Sequence, residues 1–169
     1  LTGGTGFLGA LLAIEFIKKE DKVIFLGRSK KSESFQKRIE SKLKSIEPSI
    51  SFKNIETIEV NLYKEDLGLS KDFINQFSGK IDAIWHLAAN LSFREKDRKE
   101  ESLSWKVNVE GTRNVAKSCQ KYSKKLILIS TETVFGDKKG PFDENEKLID
   151  EYKEGGVSWY GFTKAQAEK

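Results

Sequence analysis

The chain has 169 residues, with 30 Lys and Arg against 26 Asp and Glu, one His, one Cys and no Met. A composition 37% apolar and 33% charged describes a globular chain long enough for one real core, and excludes a disordered polymer. The lone Cys119 excludes a disulfide framework, no Cys/His cluster is spaced for zinc, and the longest apolar stretch, Phe7 to Ile17, is broken by Glu15 and too short to span a membrane.

Taken in chain order, Gly3-Gly4-Thr5-Gly6-Phe7-Leu8-Gly9 predicts a glycine-rich turn opening a helix with apolar Leu8, Leu11, Leu12 and Phe16, ending near Lys18-Lys19. Val23 to Leu26 is a short apolar run between Lys22 and Gly27, the pattern of a buried parallel strand. Ser32 to Ile46 predicts a helix with Phe35, Ile39, Leu43 and Ile46 on one face, stopped before Pro48. Ile55 to Leu62 alternates like a strand, Asp72 to Phe77 is a short helix, and Ala83 to Leu87 is another buried strand. Arg94 to Tyr122 predicts a mostly helical stretch with Trp105, Val109, Thr112 and Ala116 on one side. Leu126 to Ile129 is a further strand, followed by a polar loop to about Trp159 and a last helix. Strands alternating with helices imply right-handed crossovers and one α/β domain over residues 1–169, a doubly wound parallel sheet. A chain without Met that opens on Leu1-Thr2 and stops within a helix is expected to be a piece of a longer protein, lacking most of its first strand and a C-terminal substrate-binding region. No basic-then-apolar leader precedes the first helix, so a cytoplasmic location is expected.

Gly4-x-Gly6-x-x-Gly9 follows a strand end and starts an apolar-faced helix, the context of a dinucleotide fingerprint. One glycine permits a tight turn, one lets backbone approach a pyrophosphate, and one allows close packing of helix on sheet. The helix N-terminus presents free N–H groups to the phosphates. An NAD site would carry Asp or Glu at the end of the second strand, to accept from the ribose 2′-hydroxyl. Gly27-Arg28-Ser29-Lys30-Lys31 stands there instead, and the Arg28 guanidinium can grip a 2′-phosphate, so NADP(H) is favoured over NAD(H).

Thr2-Gly3-Gly4-Thr5-Gly6-Phe7-Leu8-Gly9 resembles the TGxxGxxG motif of the extended short-chain dehydrogenases/reductases, the NAD-dependent epimerase/dehydratase group, whose fold is the Rossmann fold. Further motifs follow in order. Asn61-Leu62 stands where the family has Asp-Leu near the adenine, and His86-Leu87-Ala88-Ala89 resembles the HLAA segment whose backbone lines the cofactor. Asn108-Val109-Glu110-Gly111-Thr112 resembles the NVxGT helix, the Ser130-Thr131-Glu132-Thr133 segment the one bearing the catalytic Ser/Thr, and Tyr160-Gly161-Phe162-Thr163-Lys164 the YxxxK pair. The resemblance implies cofactor contacts at Gly3, Gly6, Phe7, Leu8, Gly9, Asn61, Leu62, Leu87, Ala88, Ala89, Tyr160 and Lys164. It implies catalytic roles for Thr131, Tyr160, Lys164 and, less firmly placed, Asn108, which could equally be a plain helix-bending residue. Asn61, replacing Asp, is expected still to accept from an adenine amino group.

The chemistry fits hydride transfer at a carbinol carbon. A free phenol, with a pKa near ~10, is a poor base at neutral pH. Lys164 lies one helical turn from Tyr160, and its ammonium is expected to lower the phenol pKa; Thr131 would donate its hydroxyl to the substrate oxygen. His86, the one histidine, is expected to brace a turn rather than act as a base. Glu132-Thr133 replaces the Asp-Glu pair of dehydratases, which disfavours dehydration.

Two substrate resemblances compete. Ser130 to Phe135 with Lys139-Gly140-Pro141-Phe142 is similar to nucleotide-sugar reductases of the dehydrorhamnose type, the reading placed first. Leu67-Gly68-Leu69-Ser70, Arg28 and Leu91-Ser92-Phe93 are more similar to thioester or fatty acyl reductase domains. A non-catalytic NADP-binding regulator is the other class, against which the retained Tyr160 and Lys164 count. The expected partner is a small-molecule substrate, with no membrane, a homodimer left open, and no nucleic acid, since Glu33, Glu40 and Glu47 interrupt the basic segment Arg28 to Lys44.

Overall fold

In the computed structural model, residues 1–92, 94–153 and 158–169 are described; Phe93 of the Leu91-Ser92-Phe93 stretch and residues 154–157 of the loop before the last helix lie outside them. Helix α1 (Phe7–Lys18) is followed by strand β1 (Val23–Gly27), helix α2 (Phe35–Ile46) and strand β2 (Ile55–Glu59). Helix α3 (Lys71–Phe77), strand β3 (Ile84–His86), the short helix α4 (Leu103–Trp105), helix α5 (Gly111–Tyr122), strand β4 (Leu126–Leu128) and helix α6 (Trp159–Glu168) complete the chain.

β1 pairs in parallel with β2, and β3 in parallel with β4. Thr2 joins the two pairs, bridging to Leu26 on one side and His86 on the other. The spatial order is therefore β2, β1, Thr2, β3, β4, with the chain's first residues at the centre, where a doubly wound sheet reverses direction. Apolar clusters cover both faces. Ala10, Ala13 and Ile14 of α1 pack with Phe25 and with Phe35, Ile39 and Leu43 of α2; on the opposite face Val115 and Cys119 of α5 pack with Ile84, Val60 and Leu67. Cys119 is a packing residue.

Three boundaries differ from the sequence pattern by more than one residue. α2 begins three residues later than expected, because Lys30 and Glu33 close a turn and the Ser34 hydroxyl caps the helix, accepting from Lys37 N–H. β2 stops at Glu59 rather than Leu62, because Asn61 turns the chain, its side-chain oxygen accepting from Tyr63 N–H at 3.0 Å. The expected helix from Arg94 to Tyr122 is broken: a 3₁₀ turn spans Glu95–Asp97, α4 starts after the Ser102 cap, and Lys106–Glu110 forms a π-helical segment leading into α5. A π segment inserts an extra residue per turn. The buried stripe beyond it accordingly falls on Val115, Ser118 and Cys119, and Ala116, expected on that stripe, is only half-buried.

Candidate active site

At the carboxyl ends of the strands, a cleft of about 430 Å³ is lined by Gly3, Gly4, Thr5, Gly6, Arg28 and Asn61, among others, with Leu62, Leu87, Ala88 and Ala89 completing its wall. Gly3 has φ +76°, and a Cβ there would stand 2.7 Å from the Leu87 carbonyl carbon. Only glycine lets this turn lie against the segment after β3. Gly9 packs on the turn, a Cβ there meeting the Gly3 oxygen at 2.4 Å. Gly6 is the N-cap of α1 and supplies no side-chain cap, so the first-turn N–H groups remain available for an anion. This glycine-lined cradle fits a dinucleotide pyrophosphate. Phe7 and Leu8 stand at that helix start with exposed side chains and do not line the cleft.

Arg28 lines the cleft beyond the end of β1, together with Arg38 of α2, which sequence reasoning did not single out. Arg38 donates from Nη1 to the Arg28 carbonyl at 2.5 Å and from Nη2 to Thr5 Oγ1 at 3.3 Å, tying the phosphate turn to the strand end. Its signal in the sequence was a cation in the first turns of the helix that follows the strand.

His86 is buried and locked between two threonines, with Nδ1 2.6 Å from Thr2 Oγ1 and Nε2 3.0 Å from Thr112 Oγ1. Thr112 donates its hydroxyl to Asn108 O at 2.6 Å, so it accepts from the imidazole Nε2–H. Nδ1 in turn accepts from Thr2, whose oxygen receives the Ala88 N–H at 3.1 Å. Burial, reinforced by Lys164 and the Leu1 amino group, pushes the imidazole down to about 3. His86 is thus a neutral brace that fixes the Leu87-Ala88-Ala89 wall, as its place in the strand suggested.

Asn108, in the π segment, accepts from Asn90 N–H at 2.7 Å and donates to Asn90 O at 3.1 Å and to Thr163 Oγ1 at 2.9 Å. Both N–H groups and one Oδ1 lone pair of its amide are engaged within the protein. Asn108, expected among the catalytic residues, ties the cleft wall at Asn90 to Thr163 of α6. Asn61 Oδ1 holds the Tyr63 N–H with one lone pair and keeps its second for an adenine amino group.

α6 starts at the Ser158 cap, whose hydroxyl accepts from Gly161 N–H. It packs so tightly on the 3₁₀ segment Glu132–Phe135 that a Cβ at Gly161 would stand 2.6 Å from the Thr133 carbonyl oxygen. That contact brings Tyr160 beside the Thr131 segment. Thr131 caps the 3₁₀ turn, its Oγ1 lying 3.2 Å from Thr133 Oγ1 and within reach of Glu132. Lys164 is buried, 2% exposed, and among the described residues has no ion-pair or hydrogen-bond partner. Burial holds its ammonium below the ordinary lysine value, and Glu168 partly opposes this. One expectation is reversed: the Tyr160 phenol is raised rather than lowered, by burial first and by the Glu132 carboxylate second. Helical spacing placed Lys164 on the same side as Tyr160, but it does not register burial or the acidic neighbour on another segment.

Among the described residues no group of His, Cys, Asp and Glu could hold a metal ion, and no helix is long and apolar enough to cross a membrane.

The family model described as male sterility protein, an NAD-binding family, matches residues 1–169. The chain is 30% identical over 149 residues to a UDP-N-acetyl-alpha-D-glucosaminuronate decarboxylase of Bacillus cytotoxicus, covering 88% of this chain and 41% of that protein. A putative fatty acyl-CoA reductase of Drosophila melanogaster is 25% identical over 146 residues, covering 80% and 28%. Among solved structures, the terminal R domain of the myxalamid PKS-NRPS biosynthetic pathway superposes with a TM-score of 0.76 at 31% identity, over 99% of this chain and 42% of that one. A Bacillus cereus UDP-glucuronic acid 4-epimerase, solved with NAD, matches at 0.66 and 23%, over 99% and 48%, which supports the shared Rossmann fold. The chain spans less than half the length of these relatives.

Proposed function

We propose, because the chain belongs to the male sterility family of NAD-binding proteins within the extended short-chain dehydrogenases/reductases, that it forms the dinucleotide-binding and proton-transfer part of an NAD(P)-dependent oxidoreductase or epimerase. The observation that carries this reading is Lys164, a buried lysine one turn from a half-buried Tyr160, its ammonium held below the ordinary value by burial with only Glu168 opposing. A lysine desolvated in this way is costly to the fold and suited to a role in proton transfer. Residues 1–169 are then a single dinucleotide-binding domain, with substrate contacts supplied largely elsewhere.

When bound, a nicotinamide dinucleotide supplies or accepts the hydride. The turn from Gly3 to Gly6 and the free backbone N–H groups at the start of α1 would hold the pyrophosphate, with Phe7, Leu8 and Gly9 offering backbone only, and Leu87, Ala88 and Ala89 would line its far side. Asn61 and Leu62 frame the adenine. Arg28 and Arg38 provide two guanidinium groups where an acidic residue would select NAD, which supports NADP(H). Tyr160 gives its proton to the substrate carbonyl oxygen during reduction and takes it back during oxidation. Lys164 lowers the cost of the phenolate as it forms, and the Thr131 hydroxyl donates to the same substrate oxygen. Tyr160 above its ordinary pKa suits the donor role: the proton stays on the phenol until the oxygen becomes basic.

A nucleotide sugar is the first substrate reading, supported by the decarboxylase relative. An acyl thioester is the second, and the specific observation favouring it is the match to the myxalamid R domain over 99% of this chain, at higher identity and TM-score than the epimerase. The test is Tyr160→Phe in the full-length protein, assayed by nicotinamide absorbance against a nucleotide 4-ketosugar and a long-chain acyl thioester. Loss of a proton donor is expected to lower turnover roughly 10²–10⁴-fold with cofactor affinity unchanged. Turnover surviving at the wild-type level would remove Tyr160 from the mechanism.

A further inference from the structure

Trp159 and Ser104 take no part in the proton-transfer group, yet they meet beside it. The Trp159 indole N–H donates to Ser104 Oγ at 2.8 Å, and both residues are buried, at 6% and 1% exposure. Ser104 Oγ lies 3.2 Å from the Asp97 carbonyl, to which it donates, and 2.9 Å from Ser102 Oγ. The Asp97 carboxylate accepts from the Ser92 hydroxyl and from the Arg94 guanidinium. Asp97, through its carbonyl on one side and its carboxylate on the other, thus links the residue next to Tyr160 to the segment that follows Asn90 in the cleft wall. The indole plane is held as well, by Tyr152 edge-on at 5.1 Å, Phe162 at 5.5 Å and Trp105 at 6.2 Å between ring centroids.

We propose that Trp159 is a positioning residue, and that its hydrogen bond to Ser104 sets the rotational register of α6 and so the place of the Tyr160 hydroxyl. This rests on the reading of Tyr160 as the proton donor. Residues 159 and 163 are about one turn apart on the helix, and both are pinned to the α4–π segment, Trp159 by Ser104 and Thr163 by Asn108. Two pins along one stripe prevent the helix from rolling. The other polar contacts of α6, Gln166 to the Ile149 and Asp150 carbonyls and Glu168 to Ser130, lie toward its C-terminal end, so these two pins govern the turn that carries Tyr160. Tyr160 sits between the pins, so a small roll displaces its hydroxyl while the Gly3 turn and the arginines stay where they are.

The test uses Trp159→Phe and Ser104→Ala in the full-length protein. Phenylalanine keeps an aromatic ring among Trp105, Tyr152 and Phe162 and removes only the N–H donor and part of the ring. Either change is expected to lower kcat roughly 10–100-fold, as a misplacement approaching 1 Å does, while KM for the nicotinamide cofactor stays within about twofold. The double variant is expected to fall no further, since both changes remove one bond. A readout independent of turnover is the Tyr160 phenol, titrated by ultraviolet difference against Tyr160→Phe. Its raised pKa is expected to move back toward the ordinary tyrosine value in Trp159→Phe, as the phenol gains solvent. Unchanged kcat together with an unchanged phenol titration overturns the proposal. So does a parallel rise in KM with a large drop in thermal midpoint, which marks a general structural role. Wild-type activity retained by Tyr160→Phe overturns the proton-donor reading instead, and the phenol titration still decides whether Trp159 positions that residue.

Discussion

Arg28 and Arg38 stand ten residues apart in the chain and share one end of the cleft. Arg28 is fixed through its carbonyl, which accepts from Arg38, so its guanidinium remains available to a ligand. Replacing Arg28 with Ala is expected to weaken NADPH binding by about 1.5–3 kcal/mol, the usual worth of charge-assisted hydrogen bonds, and to leave NADH nearly unchanged. Arg38→Ala is expected to weaken both cofactors, because Arg38 also holds Thr5 of the phosphate turn. Titration by nicotinamide fluorescence separates the two; equal losses for both cofactors in Arg28→Ala would remove the 2′-phosphate role. Arg28 was legible in the sequence because the end of the second strand is a position with a known physical job. Arg38 was not, since an arginine on an amphipathic helix reads as part of its solvated face until the helix is docked. Tyr160 shows the same limit: its spacing to Lys164 could be counted, but the carboxylate of Glu132 reaches it across a tertiary contact.

At the level of elements, most strands and helices followed from hydrophobic period, and the largest departure lies where a polar residue overrides it. Asn108 pulls the backbone toward Asn90 and Thr163, and the helix accommodates this as a π segment that no propensity signals. His86 holds three pieces together: β3, on which it sits, the central Thr2, and α5 through Thr112. Its depressed pKa fixes a pH dependence. In the unfolded chain this imidazole takes up a proton near ~6.5, whereas the folded site resists it until about 3, so the unfolded state binds more protons between these values. Its contribution is fully present above ~6.5 and is lost progressively as the pH falls, by about 2 kcal/mol at pH ~5. The test compares urea midpoints of wild type and His86→Asn at neutral and mildly acid pH, which cancels contributions common to both. The variant is expected to be less stable at neutral pH but to show a shallower loss on acidification; parallel slopes would show that the imidazole is already accessible to protons in the fold.

Across the whole molecule, the two strand pairs are joined at the sheet centre through Thr2, and below that junction lies a second cleft, of about 390 Å³. Its walls include Phe16, Leu26, Ile58, Phe73 and Trp85, a mainly apolar surface that continues both core clusters. Leu1 N–H donates to Ile24 O, and Thr2 N–H to Trp85 O. Because alternate backbone groups along a strand point the same way, Ile24 and Trp85 direct their own N–H groups to the same side, into this cleft. The buried Ser118 hydroxyl lines it too and is without a hydrogen-bond partner. These are the features of a slot for an extended apolar backbone running parallel to β1 and β3. Extending the 169-residue chain by about three β-branched apolar residues ahead of Leu1 is expected to fill it, completing ladders on both sides. Burying each side chain contributes roughly 1.5–3 kcal/mol, against about 1–2 kcal/mol per residue of backbone ordering. Ladder bonds to Ile24 and Trp85 add about 1 kcal/mol each. The net expectation is a gain of about 2–5 kcal/mol in unfolding free energy, read from the urea midpoint, with the m-value rising as more surface is buried. An extension of the same length alternating Lys and Asp is expected to give no gain, because charged side chains cannot enter the apolar slot unpaired. Equal midpoints for the apolar and charged extensions would mean that the slot does not accept a strand, and that Thr2 alone suffices to hold the two halves of the sheet.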